Sequence, residues 1–574
     1  MSLSKYCLSV FPGLNGLKSY NKTRFGQDAV AAFIVTMLLI PQSLAYAMLA
    51  GVPPEVGLYS SILPLVLYAL FGTSTTLSVG PVAVASLMTA TSLSVIAEQG
   101  TASYLTGAIT LALLSGAMLV VMGIMRLGMI TNFLSHSVIS GFISASGIII
   151  ALSQLKHILG VEAHGDNVVE LLLSMLPNLV DLHVSTLCIG VSVLAFLFWA
   201  RNYAKGFLKR CNLSASNAAS LAKTAPIVGV IGSLIIVYLF KFNDHGVAIT
   251  GHIPAGLPRF GITLPSLELI QALLLPALMI SIIGYVESIS VGKTLGAKRR
   301  EKINPNQELI GLGTANLASG FSGGFPVTGG FSRSVVNFDA GAVTQLASVM
   351  TAFGIMIASL FLTPMLYFLP KATLAATIIV AVTSLIDFSI LKRTWNFAKS
   401  DFYAVAATIT ITLLLGVEIG VASGVILSIV LHLYRTSKPH IAEVGLIQGT
   451  EHFRNIQRHN VYTSPDILSL RPDESLFFAN TSFFEEGIFE TLEQRKQIAH
   501  VIIQCSAVNE IDFSGLEMLE ALNERLKDQD ILLHLSEVKG PVMDNLTRSG
   551  FLDELSGKVY LTQYEAFNQL HKKL

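Results

Sequence analysis

Two charged side chains stand inside apolar sequence, and their surroundings say what they handle. Arg333 lies in GFSGGFPVTGGFSRSVVN, Gly320 to Asn337, where glycines and a proline interrupt strongly apolar segments. Hydrocarbon does not tolerate such backbone unless it lines a cavity or is buried in protein. Gly/Pro-broken segments at membrane depth mark the binding sites of transporters, and a fixed cation within one points to an anion as cargo. The bland alternative is an arginine snorkelling at a membrane edge, but intramembrane charges are costly and usually functional. Glu287, in MISIIGYVESISVG, is the second. A carboxylate out of water readily takes a proton, the chemistry of a proton or cation coupling site. Its alternative is a structural carboxylate hydrogen-bonded to a neighbouring helix.

Around these two, other residues can complete a site. Gln42 and Tyr46, one helical turn apart beside Pro41, share a face and offer an amide and a phenol. Interhelical hydrogen bonding is the competing role, and for Asn316 and Ser319 it is the favoured one. Pro81 and Pro326 are each expected just before a half-helix, since proline suits a first turn. One half-helix is expected to start at Val82-Ala83-Val84. The other starts near Thr328, with Gly329 and Gly330 letting the backbone approach a ligand. Two N-termini facing one site supply free N–H donors and together about one positive unit. Arg333 brings the sum to about two, which suits a dianion such as sulfate, with Glu287 able to subtract. Other signals fail. Gly292-Lys293-Thr294 resembles the end of a phosphate-binding loop, but Glu287 occupies the required earlier glycine position. His136 and His157 lack metal-ligand spacing, so neither a metal nor a cofactor is expected, and no enzymatic activity.

These residues need a membrane scaffold to position them. The chain has 574 residues, 52% hydrophobic and 13% charged, where soluble domains carry about 25% charged residues. Mean hydropathy is +0.63. Lys plus Arg equals Asp plus Glu at 37 each, so no basic balance suggests nucleic acid. Cys7, Cys188, Cys211 and Cys505 are scattered without a CxxC, which argues against a disulfide framework or a zinc site. Residues 1–27 show no cleavable signal pattern. Fourteen membrane segments are expected, two of them broken: 28–49, 56–72, 79–96, 104–125, 133–158, 184–201, 225–241, 267–295, 307–322, 328–340, 343–363, 371–388, 402–417 and 419–436.

Basic residues test that count, because Lys and Arg favour cytoplasmic loops. Lys5, Lys18, Lys22 and Arg24 precede the first span. Arg201, Lys205, Lys209, Arg210 and Lys223 follow the sixth, Lys298 to Lys302 the eighth, Lys392, Arg393 and Lys399 the twelfth, and Arg435 and Lys438 the last. All follow an even number of crossings, whereas 242–266, after the seventh, holds only Arg259. Both termini are therefore expected in the cytoplasm. The halves also repeat: IPQSLAYAMLAG (40–51) aligns with YVESISVGKTLG (285–296), and LSVGPVAVAS (77–86) with SGGFPVTGGF (322–331), at one offset that sets Pro81 on Pro326. Seven spans per repeat make the halves inverted, as in one class of secondary transporter.

After Lys438 no apolar run reaches the roughly 20 residues that span hydrocarbon. The expected domains are a cytoplasmic N-terminus (1–27), a transport domain (28–437) and a soluble domain (438–574). In the last, strands at 466–479, 500–505 and 531–535 alternate with helices at 483–497, 514–529 and 542–555, a small α/β domain. Ser514 is expected as an N-cap, the preferred reading over a regulatory, phosphorylated serine.

These residues together resemble a bacterial member of the sulfate permease (SulP) family of anion transporters over nearly the full length. IPQSLAYAMLAGVPPEVGLYSS resembles the family's first-span signature, FPVTGGFSRSVVN its second half-helix, and IDFSG the D-x-S-G turn of its STAS domain. The resemblance implies a fourteen-span, seven-plus-seven inverted α-helical membrane domain with core and gate parts and an elevator-like mechanism. A cytoplasmic α/β STAS domain and a homodimer in the inner membrane are implied with it. It places Gln42, Tyr46, Val82, Ser332 and Arg333 near the anion and Glu287 at an acidic coupling position. Sodium-coupled bicarbonate relatives carry aspartate there, so glutamate argues against sodium. The expected activity is secondary active transport of an inorganic anion, sulfate foremost, with a proton as coupling ion. Bicarbonate or dicarboxylate transport on the same scaffold stays open. So does an anion channel, or a regulatory membrane protein acting through its STAS domain and a cytoplasmic partner.

Overall fold

The computed structural model describes residues 11–571 apart from 133–135, 212–217, 219–220, 223, 259–260 and 262–264. Lys5, Cys7, Lys223 and Arg259 lie outside the described residues. The chain forms two compact units, one ending at Ser428 and one beginning at Ile429.

The first unit is helical. Its main helices are α1 (Lys22–Leu49), α2 (Pro54–Tyr59), α3 (Leu63–Phe71), α4 (Ala83–Ser94), α5 (Ala102–Ile124), α6 (His136–Leu159), α7 (Val184–Trp199), α8 (Ala225–Phe240), α9 (Leu267–Arg299), α10 (Pro305–Phe321), α11 (Phe331–Asp339), α12 (Leu346–Phe361), α13 (Lys371–Val382), α14 (Ser389–Phe397), α15 (Lys399–Leu415) and α16 (Val417–Ser437). Each of the fourteen expected segments contains at least one of them. Among the described residues, seven helical stretches are long and apolar enough to cross a membrane, by length and composition. The segment 56–72 is one of these, bent between α2 and α3. Two segments instead hold short helices, α4 with 12 residues and α11 with 9, below the roughly 20 that span hydrocarbon.

Packing sorts the helices into two bundles. Helices α1 to α5 pack with α9 to α12, while α6 to α8 pack with α13 and α15. Helix α16 joins the second bundle, with Gly424 against Thr408 and Val138. Small residues permit a close crossing of α5 on α10: a Cβ on Gly116 would stand 2.9 Å from the Gly313 carbonyl. In hydrocarbon such close approach replaces the hydrophobic drive that water supplies elsewhere. Between the bundle elements, β1 (Val79–Gly80) and β2 (Thr328–Gly329) form a two-residue antiparallel pair.

Val79 pairs with Gly329 and Gly80 with Thr328. The N-caps of the two half-helices, Val82 and Gly330, are 248 positions apart, so the half-helix starts are shifted by three residues from the match of Pro81 with Pro326. Pro81 does immediately precede Val82, the N-cap of α4. Pro326 precedes β2 instead, and α11 begins at Phe331 with Gly330 as its N-cap, later than the start near Thr328 that the sequence suggests.

The second unit is a six-stranded sheet in the order β4-β3-β5-β6-β7-β8. Its strands are β3 (Ile441–Leu446), β4 (Phe453–Asn455), β5 (Ile467–Pro472), β6 (His500–Gln504), β7 (Leu532–Ser536) and β8 (Val559–Tyr560). Strands β5 to β8 are parallel, and β3 is antiparallel to both β4 and β5. Helices α17 (Thr481–Gln494), α18 (Phe513–Lys527), α19 (Gly540–Ser549) and α20 (Gln563–His571) accompany it. The core includes Val501, Ile503, Leu533, Leu535, Phe484 and Phe551, all buried. Sequence reading places β5, β6, β7, α17, α18 and α19, and misses β3, β4, β8 and α20. Ser514 is not the N-cap of α18. Asp512 is, its extended backbone letting the carboxylate accept from the Gly515 amide at 2.8 Å. Cys505 is buried, which pushes its thiol up to about 12, with Glu537 adding to the shift.

Candidate functional site

The two half-helices end at the same cavity. A pocket of about 30 Å³ is lined by Gln42, Tyr46, Val82, Ala83, Val84, Glu287, Gly330, Phe331, Ser332, Arg333, Ala381 and Leu385. Eight elements' worth of chain is not needed to build it: α1, α9 and the starts of α4 and α11 supply the polar wall, and the end of α13 closes it from the other bundle. The site thus sits on the seam between the bundles.

The half-helix starts are open. Val82 and Gly330 have extended backbone and no side chain that can cap, and neither helix carries a side-chain cap bond. The first amides of a helix have no intrahelical acceptor. Among the described residues no hydrogen bond engages the N–H groups of Ala83, Val84, Ala85, Phe331, Ser332 or Arg333. Four of the longer helices are capped: Asn21, Thr101, Ser266 and Asn304 each accept from a first-turn amide. Two uncapped N-termini at one cavity form a ready anion site.

Arg333 stands at the same cavity. The residue is 2% exposed, and its Nη1 and Nη2 are buried with no hydrogen-bond partner. Its guanidinium is laid along glycine backbone. A Cβ on Gly330 would stand 2.9 Å from Nε, and one on Gly80 would stand 3.1 Å from Nη1. A fully buried guanidinium with free donors is costly unless paired. Among the described residues Glu287 has no hydrogen bond to protein and no ion pair with Arg333, although both face the cavity. On its other side it borders an apolar crevice with Val84, Phe142, Thr408 and Val425. The Oε1 of Gln42 is buried without a partner.

The strand pair that carries this geometry is rigidly tied. The Ser288 hydroxyl accepts from Gly329 N–H at 2.8 Å and donates to the Gly284 carbonyl at 2.6 Å. Ser334 Oγ accepts from Ser78 N–H at 3.0 Å and donates to Gly330 O at 2.7 Å. Asn316 grips Val327 through both amide atoms, at 2.8 and 2.9 Å, and Ser319 donates to Phe325 O at 2.6 Å. Asn316 and Ser319 are thus packing residues, as their sequence context suggests.

Of the residues singled out by sequence, Gln42, Tyr46, Val82, Gly330, Ser332, Arg333 and Glu287 come together. Thr328 does not line this cavity. It sits in β2 with its methyl against Gly284 of α9, beside a separate small void. Ser514 is far along the chain in the second unit, in the first turn of α18 and half-buried. Ala381 and Leu385 escape sequence reasoning because nothing distinguishes an alanine or leucine that lines a site from one in a core. A wider cavity of about 620 Å³ shares Gln42 and Ser332 with the first and is also lined by Arg201, Lys205 and Asp339.

Comparison with known proteins follows this geometry. The model of the sulfate permease family matches residues 25–408, and that of the STAS domain residues 458–566. The chain is 35% identical to "Sulfate transporter 4.1, chloroplastic" of Arabidopsis thaliana over 571 residues, 97% of this chain and 82% of that one. It is 32% identical to "High affinity sulfate transporter 2" of Stylosanthes hamata over 575 residues, 97% and 86% of the two chains. In fold it is similar to murine Slc26a9, an anion transporter solved in the inward-facing state, with a TM-score of 0.88 at 22% identity over 99% of this chain and 95% of that one. The transmembrane domain of a cyanobacterium bicarbonate transporter, BicA, gives 0.60 at 22% identity over 71% and 98%. A mostly helical membrane-type unit followed by a small α/β STAS domain accords with both matches, and the chain belongs to the sulfate permease family.

Proposed function

We propose that this protein is a secondary active sulfate transporter, driven by protons and working by alternating access. The observation that carries the reading is the pair of uncapped half-helix N-termini flanking the unpartnered guanidinium of Arg333. The names of the relatives, all sulfate transporters, support the choice of anion. The cavity has room for about two water molecules, which favours a compact anion over an extended dicarboxylate.

Charge explains how a proton joins the cycle. The two helix ends contribute about one positive unit and Arg333 another. An ionised Glu287 cancels one of these, and a protonated Glu287 leaves about two to face a dianion. Proton and sulfate therefore bind cooperatively, and each raises the affinity for the other by the same factor. The seam between the bundles supports an elevator motion, in which the half-helix bundle carries the anion past α13. The alternation of basic loops supports cytoplasmic termini and an inner-membrane location, and the protein is taken to work as a homodimer.

Reconstitution tests the reading. Liposomes containing the protein should take up radiolabelled sulfate faster under an imposed inward proton gradient, and unlabelled sulfate should compete better than bicarbonate or succinate. Uptake indifferent to the gradient removes the coupling claim, and stronger competition by bicarbonate or succinate reassigns the cargo.

A further inference from the structure

The half-helix that offers its N-terminus to the anion cavity is held at its other end by the opposite bundle. Ser92, in the last turn of α4, places its hydroxyl 2.6 Å from Oε1 of Glu418, in the first turn of α16. Thr91 points its hydroxyl at the same oxygen from 3.4 Å. Helix α4 packs on α1, α9 and α5 and, across the seam, on α6, whereas α16 packs on α15 and α6. These hydroxyls therefore reach across the seam on which the anion cavity lies.

Two further features suit a bond that makes and breaks. Glu418 is firmly mounted: Gly416, at φ +96°, is the single residue linking α15 to α16, and a Cβ there would stand 3.3 Å from the Asp166 carbonyl. The hydroxyls, in contrast, each have a second acceptor in their own helix. Ser92 Oγ is 2.6 Å from the Met88 carbonyl and Thr91 Oγ1 is 3.1 Å from it. When Glu418 withdraws, neither hydroxyl is left buried without a partner, so release avoids the penalty of an unsatisfied polar group. The carboxylate itself lies beside Asp166 and Glu170 at the tip of the second bundle, and Asp166 is raised above its usual range by burial, then by Glu170 and Glu418.

The geometry points to Glu418 as a positioning residue: its bond to Ser92 and Thr91 latches the half-helix bundle to the other bundle and must open in each transport cycle. This rests on the transport reading above, because it assumes that the bundles move against one another. Helix α4, 12 residues long, connects the latch at one end to the anion amides at the other, so one rigid element reports to both.

Two measurements on the full chain in liposomes and in detergent test it. The first is sulfate half-saturation measured from each face. Glu418→Ala should shift the ratio of the two values about ten-fold, because a latch stabilises one arrangement over the other, whereas a merely structural residue lowers the amount of folded protein and leaves the ratio alone. Glu418→Gln, which keeps an acceptor oxygen, should restore most of it. Ser92→Ala combined with Glu418→Ala should do no more than Glu418→Ala alone, and Glu170→Ala should do nothing. An unchanged ratio in folded Glu418→Ala protein overturns the latch. The second is amide hydrogen exchange over Thr89 to Ser94, which needs no cargo. It should quicken about ten-fold in Glu418→Ala and stay at the wild-type rate in Glu170→Ala. If wild-type protein carries no sulfate, the transport reading fails by itself and the exchange rates still decide on the latch, equal rates rejecting it.

Discussion

Among the described residues of the membrane unit, four carboxylate or guanidinium side chains are buried, and they fall into two pairs that contrast at every point. Asp28 and Glu308 are saturated. Asp28 accepts from Val343 N–H at 2.6 Å, Thr344 N–H at 3.1 Å, Thr344 Oγ1 at 2.6 Å and Tyr20 at 3.2 Å. Glu308 accepts from Tyr68 at 2.7 Å, Thr73 N–H at 2.7 Å, Thr73 Oγ1 at 2.6 Å and Ser74 N–H at 3.2 Å. Arg333 and Glu287 have no such partners and share a cavity. Burial is common to both pairs, so burial does not separate structure from function here; the state of the hydrogen bonds does. Asp28 and Glu308 each bind one repeat half to the other, Asp28 on α1 to the loop before α12, and Glu308 on α10 to the loop after α3. They tie the half-helix bundle together through hydrogen bonds that Arg333 and Glu287 do not make.

The contrast is open to attack at its strongest point first. Glu308→Ala strands two backbone amides and two hydroxyls in the interior. It should cost about 3–5 kcal/mol of stability, seen as a much lower unfolding temperature of purified protein or as failure to accumulate. A variant as stable as wild type would erase the distinction between the pairs. Arg333→Ala should do the reverse. Removing an unpaired buried charge relieves the fold, so the unfolding temperature should hold or rise. Sulfate half-saturation should meanwhile increase roughly 100-fold, the scale of about 3 kcal/mol lost when a desolvated charge partner is removed. Destabilisation without loss of sulfate binding would move Arg333 into the structural pair.

Glu287→Gln should produce a smaller and more selective change. In the wild type, protonating Glu287 removes a negative charge from the cavity, so sulfate half-saturation should fall several-fold as the medium is acidified. Glutamine is permanently neutral. Its half-saturation should match the acid-side wild-type value at every pH, and uptake should no longer respond to a proton gradient. A variant that keeps the wild-type pH dependence would show that another group carries the proton.

Much of this was readable from the sequence because hydrocarbon makes exceptions conspicuous. Gln42, Glu287 and Arg333 stand out against apolar neighbours, and the repeat couples Gln42 in α1 to Glu287 in α9 at the same relative position. The register of the half-helices was not readable. Two prolines invite alignment, but proline marks the start of α4 and the approach to β2 for different reasons, and only the N-caps, Val82 and Gly330, show how far the two starts are shifted. Asp28 and Glu308 escaped notice because each stands near a helix start, where acids are ordinary, and nothing local reveals that their partners come from the other half of the chain. In the second unit β3, β4 and β8 are short or lie toward the sheet edges, with weak alternation. Asp512 and Ser514 are both good capping residues two positions apart, so composition alone could not choose between them.

That last ambiguity supplies the smallest and sharpest test. Asp512 accepts from Gly515 N–H and also from Phe478 N–H, at 2.8 and 2.9 Å, so it ties α18 to the turn after β5 as well as capping it. Asp512→Ala should cost about 1 kcal/mol, read as a modest drop in the unfolding transition of the STAS domain, with sulfate half-saturation unchanged. Ser514→Ala should cost much less, since no first-turn amide depends on it. The half-helices predict the opposite sign for a cap. Val82→Ser adds a hydroxyl within reach of the α4 amides, so it should stabilise the membrane unit by a few tenths of a kcal/mol to about 1 while weakening sulfate binding, because the new cap occupies donors that otherwise await the anion. If Val82→Ser strengthens the fold without affecting sulfate, the open amides of α4 are not part of the site, and α11 with Arg333 holds the anion alone.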